Sequence, residues 1–354
     1  MTATGQALSY LDQQMPGETG EKARSRLVAI LMRREVQLLV ALLLMSGIVD
    51  VLRPQFLSSS NISFMLAGSV VIMVVATGQT MVIITRGIDL SVAPMLGIAA
   101  IAIGFPAQNH NLNIFVALVL VILIGIALGV GNGLLVTVAG IPPIIATLAT
   151  LSVYGGLQFV FTSGLTVISL PHDYIAVGLE DIVPGIPWLL LIGVGIVIVA
   201  ELFLKFTPWG RAIYAVGNNA DAAYRAGIPV RRTLFMTYII CGLLSGIGGF
   251  VYLCYIGSAS STTGTDTNVN LISIAATLIG GTSLLGGRGR PIGAALGAVF
   301  LSVADTAIVV LRILPIWEPA GVGVLILLAV VTDRQSGPAT RRALRTRHHA
   351  EVAA

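Results

Sequence analysis

Charge is scarce in this chain. Only 10% of its residues are Asp, Glu, Lys or Arg, against about 25% in soluble domains. That deficit excludes an ordinary soluble globular protein. The four histidines (His110, His172, His348, His349) are scattered or in the tail, without the i, i+4 spacing of a metal pair. The two cysteines, Cys241 and Cys254, share one apolar run. Neither a disulfide framework nor a metal site follows from them. Lysine occurs only as Lys22 and Lys205, neither after a glycine, so no G-x-x-x-x-G-K-[ST] phosphate loop exists. Also missing are paired acids of the D-D-x-x-D type, which a membrane-embedded transferase needs for metal and phosphate. The alternating strands of about ten residues that build an outer-membrane barrel are absent. The first 35 residues are polar and hold no early apolar core, so no signal peptide is expected.

Apolar residues are abundant instead: 56% of the chain, with a mean hydropathy of +0.94. Runs of about 20 apolar residues read as spanning helices, because in lipid the backbone must satisfy its own hydrogen bonds. Ten segments are expected, at roughly 36–52, 62–84, 91–107, 114–138, 143–162, 187–206, 233–257, 269–285, 291–311 and 317–332. The third and eighth are short and rich in Gly, Ala or Ser. With the N-terminus inside, 18 of the 20 Lys and Arg residues fall in the cytoplasm, leaving only Arg53 and Arg312 outside. Adding or dropping one central span would destroy that partition, so both termini are expected inside. The pI near 9.3 reflects this placement rather than nucleic-acid binding.

The expected organisation is an N-terminal tail over 1–35, an all-α polytopic membrane domain over 36–333 and a basic tail over 334–354. Five spans starting inside and five starting outside suit an inverted repeat, although no residue-level match joins the halves. Gly125, Gly129 and Gly133 recur every four residues, as do Gly242 with Gly246 and Gly293 with Gly297. That spacing suits close helix packing; lining a pore is the alternative.

One polar stretch interrupts the apolar pattern, TPWGRAIYAVGNNADAAYRAGIPVRR over 207–232. Thr207 followed by Pro208 predicts an N-cap and first helical position. A turn or two can follow until Gly217 breaks it. Asn219 can cap a second short helix over 220–226, and Gly227 with Pro229 beyond stops it. So short a helix is unstable alone. Either another protein packs on its small residues, or it is a solvated loop with basic side chains at lipid headgroups.

Three stretches together resemble one family. GRAIYAVGNNADAAYRAGIPV, TRGIDLSV (85–92) and LIGGTSLLGGRGRPIGAALGA (278–298) are similar to the ribose-type ABC importer permeases, the membrane subunits for ribose, galactose, arabinose, xylose, rhamnose and autoinducer-2. The resemblance covers roughly 36–333. It implies a type II-like permease fold and places the coupling contact on Gly210, Arg211, Gly217, Asn218, Asn219, Ala222, Ala223, Gly227 and Ile228. It also implies the partners. Two permeases, identical or paralogous, form a pathway in the bacterial inner membrane; ABC ATPase subunits bind ATP and Mg; an extracytoplasmic sugar-binding protein delivers solute. The chain itself would be neither an enzyme nor a cofactor protein, and nucleic acid has no part. Ala226 stands where serine is usual, Ala93-Pro94 where Gly-Ser usually follows, and the arginine-rich C-terminal tail lies outside the family pattern. LLGGRGRPIGAALGA and IVVLRILPIW look most like the rhamnose and autoinducer-2 branch.

Polar residues within the spans complete the reading. A centred aspartate costs about 3 kcal/mol, so Asp305 faces the bundle or a watery cavity, as a pathway residue or a helix anchor. Asp89, close to Arg86, suits a boundary ion pair or helix cap, although it lies in a family motif. Glu201 and Lys205 are spaced for an i, i+4 pair. Gln79, Asn132, Gln158, Asn268, Asn270 and Thr277 offer the neutral hydrogen-bonding groups a sugar pathway needs, or simply pack. The acidic outer loop near 163–186 and the stretch 258–270 are candidate surfaces for the binding protein, or unstructured links. A stand-alone secondary transporter or channel is the competing class; it calls for a buried ion site with several acids, and only Asp305 is central.

Overall fold

The computed structural model describes residues 34–335, so the two expected tails fall outside the described residues. The described residues are mostly helical. The helices are α1 (Arg34–Leu52), α2 (Ser59–Ile84), α3 (Val92–His110), α4 (Ile114–Thr137), α5 (Pro143–Thr162), α6 (His172–Leu179), α7 (Trp188–Phe206), α8 (Pro208–Asn218), α9 (Ala220–Arg225), α10 (Val230–Ile256), α11 (Val269–Ile279), α12 (Pro291–Val310) and α13 (Glu318–Gln335). Between α6 and α7 lies a small antiparallel hairpin, β1 (Asp181–Val183) and β2 (Ile186–Pro187), in which Asp181 faces Pro187. Among the described residues, eight helices are long and apolar enough to cross a membrane. The ten expected segments each carry a helix.

α2 forms the axis of the bundle, buried along most of its length and packed by α7, α10, α11 and α12. Glycine sets the close approach of α4 to α10. A Cβ on Gly125 would lie 2.3 Å from the Gly242 carbonyl, and one on Gly129 2.5 Å from that of Tyr238. The four-residue glycine repeats are therefore packing seams rather than a pore lining.

The third and eighth segments depart from simple spans. Hydropathy extends the eighth over 269–285, yet α11 stops at Ile279, where Gly280 and Gly281 (φ 95°) end it. Its 11 residues rise about 16 Å, roughly half the hydrocarbon thickness of about 30 Å. Residues 257–268 precede it as turns, and Gly264 (φ 84°) lies so close to α3 that a Cβ would sit 2.4 Å from the Ala93 carbonyl. α3 is likewise preceded by a non-helical segment, residues 85–91, which turns back among α2, α4 and α5. There Gln79 Nε2 donates to the Asp89 carbonyl (3.2 Å) and Thr147 Oγ1 to that of Ile88 (3.0 Å). Irregular backbone at such depth persists because protein, not lipid, surrounds it.

The two ends of the bundle differ. At one, Arg86 reaches the C-terminus of α8, Arg290 meets Glu35 and Glu201, and Arg34 lies against Gly281. At the other, the segment 163–187 is ordered by α6 and the hairpin. Tyr174 donates to the Leu112 carbonyl (3.0 Å), Val167 bridges Ala259, and Asp181 accepts from Ser63.

Candidate functional site

The insert folds as two capped helices. Thr207 Oγ1 accepts from the Gly210 amide (3.0 Å), so α8 begins at Pro208. Asn219 Oδ1 accepts from the Ala222 amide (2.9 Å) and starts α9. Gly227, at φ 80°, ends it. Its amide donates to the Tyr224 carbonyl (2.9 Å), while that of Ile228 reaches Ala223 (3.0 Å). Gly217 is not the breaker its identity suggests. It lies within the last turn of α8 and serves close contact, since a Cβ there would fall 1.9 Å from the Ile84 carbonyl and 2.8 Å from the Gly287 amide.

One face of α8 is buried. Ile213 packs with Met81, Ile84, Ala200 and Leu204, so the helix rests on the ends of α2 and α7. Tyr214 donates to the Gly289 carbonyl (2.8 Å). Burial pushes its phenol up to about 12, with the Glu201 charge adding and Arg290 opposing. Arg211 and Asn218 are exposed, as is most of α9: Ala220, Asp221, Ala222, Tyr224 and Arg225, while Ala223 turns inward.

The three family motifs meet at this point. Arg86 Nε donates to the Gly217 carbonyl (2.8 Å) and its Nη2 to that of Asn218 (2.7 Å). Both are charge-assisted bonds to the open carbonyl end of a helix, where a cation is favoured. The Gly287 amide donates to the Ile84 carbonyl (2.9 Å), stitching the segment after α11 to the end of α2. Gly286 approaches so near that a Cβ would lie 2.5 Å from Arg86 Cγ and 2.6 Å from the Gly217 carbonyl. Arg86 itself has a left-handed backbone (φ 68°), a conformation non-glycine residues hold only where surroundings enforce it. Arg86, Tyr214, Gly286 and Gly287 are the site residues the sequence reading passes over, although all lie in the motifs that carry the resemblance.

Two expected pairings give way to others. Glu201 joins Arg290 (2.7 Å) rather than Lys205, because a guanidinium fork from the neighbouring segment reaches the carboxylate; Lys205 sits over the Phe206 ring, 5.0 Å from its centroid. Asp89 makes no ion pair with Arg86, which is spent on α8. Asp89 Oδ1 accepts from the Ser91 amide (2.9 Å) and hydroxyl (2.7 Å), and Asn132 Nδ2 donates to Oδ2 (3.1 Å). These bonds order the turn before α3, whose N-cap is Ser91 and carries no side-chain capping bond, so Asp89 acts neither as an ion-pair partner nor as a helix cap.

The candidate pathway residues do not gather in one channel within the chain. Gln79, Asp89 and Asn132 share one fully buried cluster. Gln158 lies apart, its Nε2 donating to the Thr263 carbonyl (3.0 Å) where the two non-helical segments come close to α5. Thr277 donates to the Ser273 carbonyl (2.7 Å) within α11. Asn268 is exposed just before α11, Asn270 is half-buried in its first turn, and Asp305 opens onto a cavity.

Known proteins are similar to this chain over most of its length. Residues 61–330 match the family described as "Branched-chain amino acid transport system / permease component". A probable ABC transporter permease protein, y4mJ, of Sinorhizobium fredii is 36% identical over 304 residues, covering 86% of this chain and 90% of the relative. The autoinducer 2 import system permease protein LsrC of Enterobacter sp. is 35% identical over 319 residues, covering 89% and 92%. LsrC of Photorhabdus laumondii is 31% identical over 319 residues, covering 90% and 94%. No solved structure matches. The chain is thus a multi-pass membrane protein that belongs to the ribose-type family of ABC importer permeases.

Proposed function

We propose that this chain is the membrane subunit of a binding-protein-dependent importer that carries a monosaccharide or similar sugar-derived solute inward. ATP hydrolysis on a partner ATPase, docked on α8 and α9 at the cytoplasmic side, drives it. The observation that carries this reading is the grip on α8. A helix of a few turns has little stability alone, yet α8 is capped at Thr207, seated on α2 and α7, and clamped by Arg86. A handle so held transmits force into the bundle. Tyr224, 74% exposed, stands on α9 beside small alanines, a surface suited to a groove on the partner.

The roles of the remaining parts follow. ATP and Mg belong to the partner, consistent with the absence of a phosphate loop here; this chain needs no cofactor. A second permease, identical or paralogous, completes the pathway across the bacterial inner membrane. The binding protein delivers solute to the outer end built by residues 163–187 and 258–270. The names of the relatives, which describe autoinducer 2 import, favour a sugar-derived solute.

Purification of the tagged chain from native membranes tests this directly. A P-loop ATPase is expected to copurify, and deletion of its gene to abolish uptake. Uptake that survives the deletion would establish the stand-alone transporter instead.

A further inference from the structure

The joint between α7 and α8 is a single residue, Thr207. One short segment grips that joint from both sides. On the α8 side, Tyr214 donates to the Gly289 carbonyl (2.8 Å), which belongs to the peptide unit joining Gly289 to Arg290. On the α7 side, the Arg290 guanidinium holds Glu201 in a fork, with Nε 2.8 Å and Nη2 2.7 Å from Oε1. Its Nη1 reaches Glu35, in the first turn of α1, at 3.4 Å. Arg290 is also the residue from which α12 starts. Helices α1, α7, α8 and α12 therefore meet on Gly289 and Arg290.

This meeting point has little slack. Pro291 opens α12 and confines the residue before it to extended backbone; Arg290 stands at φ −149° and ψ 137°. A Cβ on Gly289 would lie 2.6 Å from the Thr282 side chain, so the segment is wedged there as well. The two ion pairs are unequal. The Glu201 side chain is 15% exposed, against 29% for Glu35, and a carboxylate so placed in a spanning helix requires a partner. The Glu35 contact is longer and nearer water, where ion pairs contribute little. Glu201 is the anchor. Its second oxygen, Oε2, is buried with no hydrogen-bond donor among the described residues. The Tyr214 phenol lies near enough to feel the Glu201 charge.

We propose that Arg290 is the positioning residue of a second force path, in which movement of α8 passes through Tyr214 and Gly289 to α1, α7 and α12. As α8 shifts, the Tyr214 hydroxyl exchanges the Gly289 carbonyl for Glu201 Oε2, so the junction has two bonded arrangements. The assignment rests on the transport reading above and concerns how the bundle receives the motion of α8. Arg86 carries that motion to residues 85–91, so the two paths end on different helices.

The test uses the complete importer in membrane vesicles, with labelled D-ribose, D-xylose and L-rhamnose as solute probes. Solute carried per ATP hydrolysed is read on the same vesicles. Arg290→Ala is expected to lower that ratio about tenfold, the equivalent of one charge-assisted hydrogen bond. Because it leaves the Glu201 charge unpaired, it should also lower the amount of assembled importer. Arg290→Ala combined with Glu201→Gln removes that charge and is expected to restore the amount but not the ratio. Arg290→Lys should recover part of the ratio, since an ammonium can still reach Glu201. Tyr214→Phe should lower the ratio with both charges in place. A ratio unchanged in the double variant and in Tyr214→Phe would overturn the assignment. So would a loss of amount with no change of ratio in any variant, the mark of a merely structural role. A wild-type complex that holds no ATPase, or carries solute without hydrolysis, would instead overturn the transport reading itself.

Discussion

Gly217→Ala should abolish uptake and lower the thermal stability of the purified protein. The added carbon would lie 1.9 Å from the Ile84 carbonyl and 2.8 Å from the Gly287 amide, both backbone atoms with no rotamer to yield. Those two atoms form the bond that stitches the segment after α11 to the end of α2. Overpacking a well-filled site costs about 1–3 kcal/mol, and a rigid backbone neighbour puts this case at the upper end. Gly227→Ala is the matched control. It imposes a left-handed backbone on alanine, at about 1–2 kcal/mol, but meets nothing within 4 Å. The expected order of damage is Gly217→Ala well beyond Gly227→Ala, read by melting in detergent and by uptake in cells. Equal and mild effects would mean that the contact of α8 with Ile84 and Gly287 is not needed.

Arg86→Ala should uncouple the importer rather than dismantle it. The substitution removes both bonds from α8 to the segment after α2. Each hydrogen bond to a charged group contributes about 1.5–3 kcal/mol. The exposed face of α9 is untouched, so the partner ATPase should still bind and still hydrolyse ATP. Movement of α8 would lose its direct hydrogen-bonded link to residues 85–91 and so, through Asp89 and Asn132, to helices α3 and α4. Uptake should fall by about tenfold or more while hydrolysis continues. Arg86→Lys should recover part of the uptake, since an ammonium can reach one carbonyl but cannot fork to two. Uptake and hydrolysis measured on the same membranes check this; full uptake in Arg86→Ala would show that force passes elsewhere.

Local signals in the sequence proved readable where they act over three or four residues. Thr207, Asn219 and Gly227 mark the ends of α8 and α9 because caps and left-handed stops are set by near neighbours. The apolar segments are legible for a similar reason, since the bilayer sets a minimum length for the full spans, which the half-length α11 does not meet. Contacts between distant positions were not legible. Arg86 reaches a residue 131 positions away, and Glu201 pairs with Arg290, 89 positions on, although Lys205 has the helical spacing. Hydropathy also cannot tell a buried apolar turn from a helix, so 280–285 reads as span although Gly280 and Gly281 end α11. Among the candidate pathway residues, Gln79, Asp89 and Asn132 turn out to share one buried cluster. Neutral polar side chains look alike in sequence whether they line a path or bind a neighbour.

The central claim is that an ATP-hydrolysing partner sits on the exposed face of α9. Tyr224→Cys places a single reactive thiol there, because Cys241 and Cys254 are both buried. Ile168→Cys, at the opposite end and 77% exposed in the wild type, is the control. Treatment of native membranes with a short thiol-to-amine cross-linker is predicted to join the chain to a P-loop ATPase from position 224 and not from 168. An ATPase adduct from 168 alone, or none from 224 in membranes that still import, would contradict the account.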